Sequence, residues 1–164
     1  MQLTNISAST SFCENGCYNL TLITENAAIK IKFDTGASKT VISYSLLLGK
    51  LSKDKKDEIR KLFLGCTPEI FTSASGHSLV GYPVCIKNVL IGNVLFPKFY
   101  YYLILDELEG NRAIALLGDN FIDCCRFEHY PHEEIKITGF DYDGYTIDGN
   151  TVSMDEICEV AYDI

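Results

Sequence analysis

The stretch Ile31-Lys32-Phe33-Asp34-Thr35-Gly36-Ala37-Ser38-Lys39-Thr40-Val41-Ile42 decides how this chain of 164 residues is read. An apolar run leads into a carboxylate, a loop of small residues follows, and Thr40-Val41-Ile42 leads away as a second apolar run. Gly36 lets the backbone turn sharply and puts no side chain in the approach to Asp34. Thr35 brings a hydroxyl that can hydrogen-bond across a tight loop. Asp and Gly also suit a plain β-turn, so the flanking sequence has to decide between the two.

Upstream, residues 18–24 and 27–33 alternate apolar with polar, as half-buried strands do. Glu25-Asn26 between them is a tight turn, and the pair reads as a β-hairpin delivering the chain to Asp34. Downstream, Leu46, Leu47, Leu48 and Leu51 form an apolar cluster. The spacing then predicts a helix over 52–63, with Ser52 or Asp54 as N-cap and Ile59, Leu62 and Phe63 on one face. The charged run 53–61 is the solvated face of that helix.

After Pro68 the pattern returns to strands. Residues 69–73 and 78–86 flank the small, turn-prone tip Ser73-Ala74-Ser75-Gly76-His77. Residues 84–91 and 94–105 are rich in β-branched and aromatic side chains and break at Gly92-Asn93. Residues 113–117 read as a buried strand, 119–127 as a short helix capped by Asp119, and 133–138 as another strand. The acidic tail 139–164 reads as a hairpin and a short last helix. There is no repeat and no linker: residues 1–138 make one domain, and 139–164 is a C-terminal extension of it.

The run Phe33-Asp34-Thr35-Gly36-Ala37 resembles the Asp-Thr-Gly signature of the aspartic proteases. Ala115-Leu116-Leu117-Gly118-Asp119-Asn120-Phe121-Ile122 resembles the apolar-apolar-Gly motif that packs beside the catalytic loop in that family and opens a short helix. Residues 72–81, between them, sit where the family's flap belongs. The order matches the retropepsin-like, single-lobe branch of the family over residues 18–138.

The resemblance implies a mostly β fold. It is a closed, barrel-like single lobe with one inserted helix at 44–64 and a short helix after Leu116-Leu117-Gly118. Asp34 would be the catalytic carboxylate, with Thr35, Gly36 and Ala37 supporting its loop. Residues Ser73, Ala74, Ser75, Gly76 and His77 would fold over a bound peptide. No cofactor and no metal is expected.

No second Asp-Thr-Gly or Asp-Ser-Gly occurs in the sequence; Asp143-Gly144 and Asp148-Gly149 lack the hydroxyl residue and the apolar approach. Peptide hydrolysis by this route needs two carboxylates sharing a proton, one to activate water and one to protonate the carbonyl oxygen. One Asp34 cannot do both, so a homodimer with two-fold symmetry is expected, acting on peptide or protein substrates. The second reading, from a different class, is a catalytically silent dimerisation or peptide-binding module. Three departures from the family pattern stand out. Lys32 lies two before Asp34 and faces away from the core by alternation. The stretch from Asp34 to Gly118 is longer than in compact viral enzymes. Residue 119 is Asp where a basic residue is common. The tail either extends the dimer interface or lies over the cleft.

The composition fits this reading. Fourteen Lys and Arg stand against twenty-two Asp and Glu, a net charge of −8 that repels phosphate backbones and excludes nucleic acid as a partner. No apolar run is long enough to span a bilayer, so no membrane association is expected. Met1-Gln2-Leu3-Thr4-Asn5 does not open a secretory leader, so a cytoplasmic protein with reduced thiols is expected. The seven cysteines include Cys13 and Cys17, four apart, and the adjacent Cys124 and Cys125. That spacing fits zinc poorly, and free thiols are the expected state.

Overall fold

The structure is a computed structural model, and it describes residues 2–72, 76–108, 110 and 112–162. The chain opens with β1 (Thr4–Ser9), β2 (Ser11–Phe12), β3 (Tyr18–Ile23) and β4 (Ala28–Phe33). Next come β5 (Val41–Ser43) and two helices, α1 (Tyr44–Leu47) and α2 (Lys53–Lys61). Then follow β6 (Glu69–Thr72), β7 (Ser78–Ile91), β8 (Val94–Ile104), β9 (Ala115–Leu117) and α3 (Asp119–Ile122). The chain closes with β10 (Cys125–Tyr130), β11 (Glu134–Phe140), β12 (Val152–Ser153) and α4 (Met154–Tyr162).

The strands β7, β8, β5, β9, β4 and β3 neighbour one another in that order. Leu22 and Ile23 of β3 pair back onto Ile91 and Leu90 of β7, which closes six strands into a barrel. Alternation fills its interior: Leu20, Leu22, Ile31, Ile42 and Leu117 point inward and are buried, while Thr21 and Lys30 stay outside. The fold is mostly β with a few helices, as the sequence predicts.

The long hairpin of β7 and β8 turns at Gly92-Asn93, with φ of 56° and 69°. Two successive positive φ values define the type I′ turn, whose twist matches the flanking strands. β7 is one continuous strand where the sequence suggests two. Pro83 lies between Gly81, the last residue paired with β6, and Val84, the first paired with β12. Among the described residues one edge of β7 has no partner strand there, so a missing N–H is tolerated.

The inserted helix α2 forms as expected. The Ser52 hydroxyl accepts the Lys55 N–H at 3.2 Å, which settles the N-cap on Ser52. Ile59 and Phe63 are buried, each contributing about 1.5–3 kcal/mol of apolar burial. α1 is an additional single turn.

Three expectations need correcting. The helix predicted over 119–127 ends at Ile122, and Cys125–Tyr130 is strand β10 instead. The ladder offered by β11 outweighs local preference there. The N-cap of α3 is Gly118 and not Asp119, and it makes no side-chain cap bond. The tail forms no hairpin: β12 joins β7 in parallel and α4 follows.

The tail is anchored in the core. Tyr145 is buried, accepts the Tyr100 N–H at 2.8 Å, and packs against Phe121 and Phe140. Met154 and Ile157 are buried as well, and Lys55 on α2 donates to the Val160 carbonyl at 3.0 Å. A separate three-stranded sheet, ordered β1-β11-β10, carries the N-terminal strand.

Candidate active site

The position of Asp34 follows from strand order. β9 lies between β4 and β5, parallel to the first and antiparallel to the second. The loop from β4 to β5 must therefore arch over the C-terminal end of β9. Asp34 stands at the start of that arch, with its N–H donating to the Leu117 carbonyl at 3.0 Å.

The chain leaving β9 passes directly under the arch at Gly118. A Cβ there would lie 2.3 Å from both the carbonyl carbon and the oxygen of Lys39, so no other residue fits without a backbone shift. This is the physical role of the glycine in Leu116-Leu117-Gly118. It permits a close approach that the sequence motif implies but cannot display.

A buried polar network ties arch to floor. The Thr40 N–H and the Thr40 hydroxyl both donate to Asn120 Oδ1, each at 2.8 Å. The Gly118 N–H donates to Thr40 Oγ1 at 3.1 Å. The Asp119 N–H donates to the Ala37 carbonyl at 2.8 Å. Thr40 is fully buried, and this network accounts for its polar groups. Sequence reasoning did not single out Thr40 or Asn120. They lie far apart in the chain, and only the fold brings them together.

Within the loop, the Gly36 N–H donates to Asp34 Oδ1 at 2.9 Å and the Ala37 N–H to the Asp34 carbonyl at 3.1 Å. The carboxylate keeps a quarter of its surface exposed, and its Oδ2 lies 3.7 Å from Lys32 Nζ. Lys32, expected to face away from the core, thus curls toward the carboxylate two residues on. Thr35 is exposed, and among the described residues its hydroxyl has no partner.

Beside the loop lies a cavity of about 1130 Å³. The loop contributes Gly36 to Lys39, the barrel contributes Val41, Ile114 and Leu116, and the β6–β7 hairpin contributes Ile70, Phe71 and Leu79. Asp34 itself is not part of the wall. Of the predicted flap residues, Ser73, Ala74 and Ser75 lie outside the described residues. Gly76 takes a positive φ of 85°, and His77 lines the cavity. Among the described residues, none of the tail lines it. No three His, Cys, Asp or Glu side chains among the described residues converge as a metal site. No helix among them is long and apolar enough to cross a membrane.

The structure thus sets the Asp34 loop over the end of β9, with Asp34 bonded to Leu117 and Ala37 to Asp119, while Thr35 and Gly36 stay exposed at its tip. No family model matches the chain, and no curated protein matches it. Among solved structures, the crystal structure of a retropepsin-like aspartic protease from Rickettsia conorii is similar. The two share 17% identity over 86% of this chain and 98% of that one, with a TM-score of 0.48. At that identity the likeness concerns the fold alone.

Proposed function

We propose that two copies of this chain form an aspartic endopeptidase of the retropepsin-like type. A water held between the two Asp34 carboxylates, one from each subunit, attacks the peptide carbonyl. One carboxylate takes the water's proton while the other, protonated, donates to the carbonyl oxygen. Thr35 bonds across the two-fold axis, and residues 73–77 close over the peptide and exclude water. Substrates are peptides or unfolded protein segments, and the compartment is cytoplasmic and reducing. In this reading residues 139–164 are part of the same domain, which is supported by Tyr145, Val152 and Met154 packing into the core.

The observation that carries this reading is the Asp34 loop itself, pinned from below through Gly118, Thr40 and Asn120 and opening beside a cavity lined by both apolar and charged side chains. A dimer also has a place to form. Among the described residues β10 is an edge strand, paired with β11 alone, and its Phe127 packs on Phe33 with ring centroids 5.2 Å apart. Phe33 is the residue before Asp34, so this open edge lies close to the catalytic loop, where the proposed two-fold contact is needed.

The contact of Lys32 with Asp34 favours the second reading, a silent peptide-binding dimer. It gives the carboxylate a counter-ion within its own chain, without any mate.

Cleavage of an unfolded peptide mixture, scanned from acid to neutral pH, separates the two. Wild type is expected to cleave, and Asp34→Asn to lose at least about 10²-fold in rate. A folded dimer with no cleavage at any pH would leave the binding module as the function.

A further inference from the structure

None of the seven cysteines is in a disulfide, and six of them show a clear departure from ordinary thiol acidity. Burial pushes the thiols of Cys66, Cys85, Cys124, Cys125 and Cys158 up, which keeps them protonated and poorly nucleophilic. Cys13 differs. A hydrogen bond from the Asn15 backbone, aided by bonds from Cys17 and Asn19, outweighs partial burial and holds its thiol below the usual range.

Cys13 also has a second thiol opposite it. β2 and β3 pair with Ser11 opposite Asn19 and Phe12 opposite Tyr18, so the next step of the ladder sets Cys13 against Cys17. The Cys13 N–H donates to the Cys17 carbonyl at 2.9 Å, and the Gly16 N–H to the Cys13 carbonyl at 3.2 Å. Gly16 takes a φ of 72°. These bonds define a three-residue loop, Glu14-Asn15-Gly16, with the bulge such hairpins favour. Residues opposed across a hydrogen-bonded antiparallel pair have Cα atoms about 5.5 Å apart. A disulfide spans about 4.4–6.8 Å between Cα atoms. The two sulfurs already face the same small loop: Cys17 Sγ donates to the Asn15 carbonyl at 3.7 Å and hydrogen-bonds with Cys13. Neither residue is fully buried.

We propose that Cys13 and Cys17 form a redox modification site, converted reversibly into an intramolecular disulfide by a peroxide-class oxidant. The Cys13 thiolate attacks a peroxide oxygen. The O–O bond breaks, hydroxide leaves, and Cys13 becomes a sulfenic acid. The Cys17 thiol then attacks the Cys13 sulfur and gives up its proton to the departing oxygen. The S–S bond forms as the S–O bond breaks, and the oxygen leaves as water. In sum, two thiols give up two electrons and two protons, and one peroxide becomes two waters. A dithiol reductant reverses the step by exchange. Neither cysteine lines the cavity beside Asp34, so the site stands whether or not the chain is a protease.

The test uses the full chain, reduced and then exposed to a small excess of hydrogen peroxide at neutral pH. Mass spectrometry without reduction is expected to show the loss of two hydrogens and one linkage, Cys13 to Cys17, that dithiothreitol reverses. Cys17→Ser should lose the linkage and leave a Cys13 sulfenic acid that dimedone traps. Cys13→Ser should lose both signals. An unchanged wild-type mass, a linkage between other cysteines, or oxidation of Cys13 with Cys17 still free would overturn the proposal.

Discussion

Thr40 and Gly118, behind the Asp34 loop, are buried, and their polar groups meet within the chain. Along β10 the situation is reversed: five of six residues are exposed, and one edge of the strand pairs with nothing among the described residues. Phe127, at 38% exposure, covers Phe33 on one side and faces solvent on the other. The loop is thus positioned by its own chain, while the surface next to it is left unfinished. A carboxylate fixed this firmly beside an open strand edge suits the proposed shared site. A loop that merely turned the chain would need no buried network beneath it.

Substitutions can break this contrast, starting on the rigid side. Gly118→Ala should destabilise the fold by about 3 kcal/mol, since its Cβ meets the Lys39 backbone rather than a flexible side chain. Urea unfolding reads this directly. A loss below about 1 kcal/mol would mean the arch yields and the loop is not rigid. Asn120→Ala removes the acceptor of two Thr40 donors and should cost about 2 kcal/mol in the same assay, with Asp34-dependent activity falling alongside.

The open side should behave otherwise. Lys32→Met removes a half-exposed ion pair and should change stability by less than about 1 kcal/mol. Its effect on cleavage sharpens the functional choice: unchanged or raised activity fits a carboxylate that works with its mate. Thr35→Ala should shift monomer stability by no more than about 0.5 kcal/mol, because its hydroxyl has no partner within the described chain. Dimer dissociation, followed by analytical ultracentrifugation on dilution, should nevertheless move to higher concentration. An unchanged dissociation constant would remove Thr35 from the axis.

Much of this was legible in the sequence. The alternation in Tyr18–Ile23 and Ala28–Phe33 announced the hairpin, Ser52 announced the helix, and Leu116-Leu117-Gly118 announced the strand end that meets the loop. What stayed hidden has physical reasons. β10 is exposed on both faces, so it shows no inward alternation, and nothing in residues 119–127 marks that the helix starting at Asp119 stops after Ile122. β1 is mostly polar and exposed for the same reason. Thr40 and Asn120 are ordinary polar residues in a sequence; their importance arises from burial and from contact across the fold. The acidity of Cys13 depends on loop geometry that spacing alone does not specify.

The most direct test of a shared site is to mix wild type with Asp34→Asn at constant total concentration, allow subunits to exchange, and measure cleavage. If each site needs both Asp34 residues, mixed dimers are inactive and an equal mixture retains about a quarter of wild-type activity. An equal mixture retaining about half would mean that each chain works alone, and the account of a carboxylate completed by its mate would be wrong.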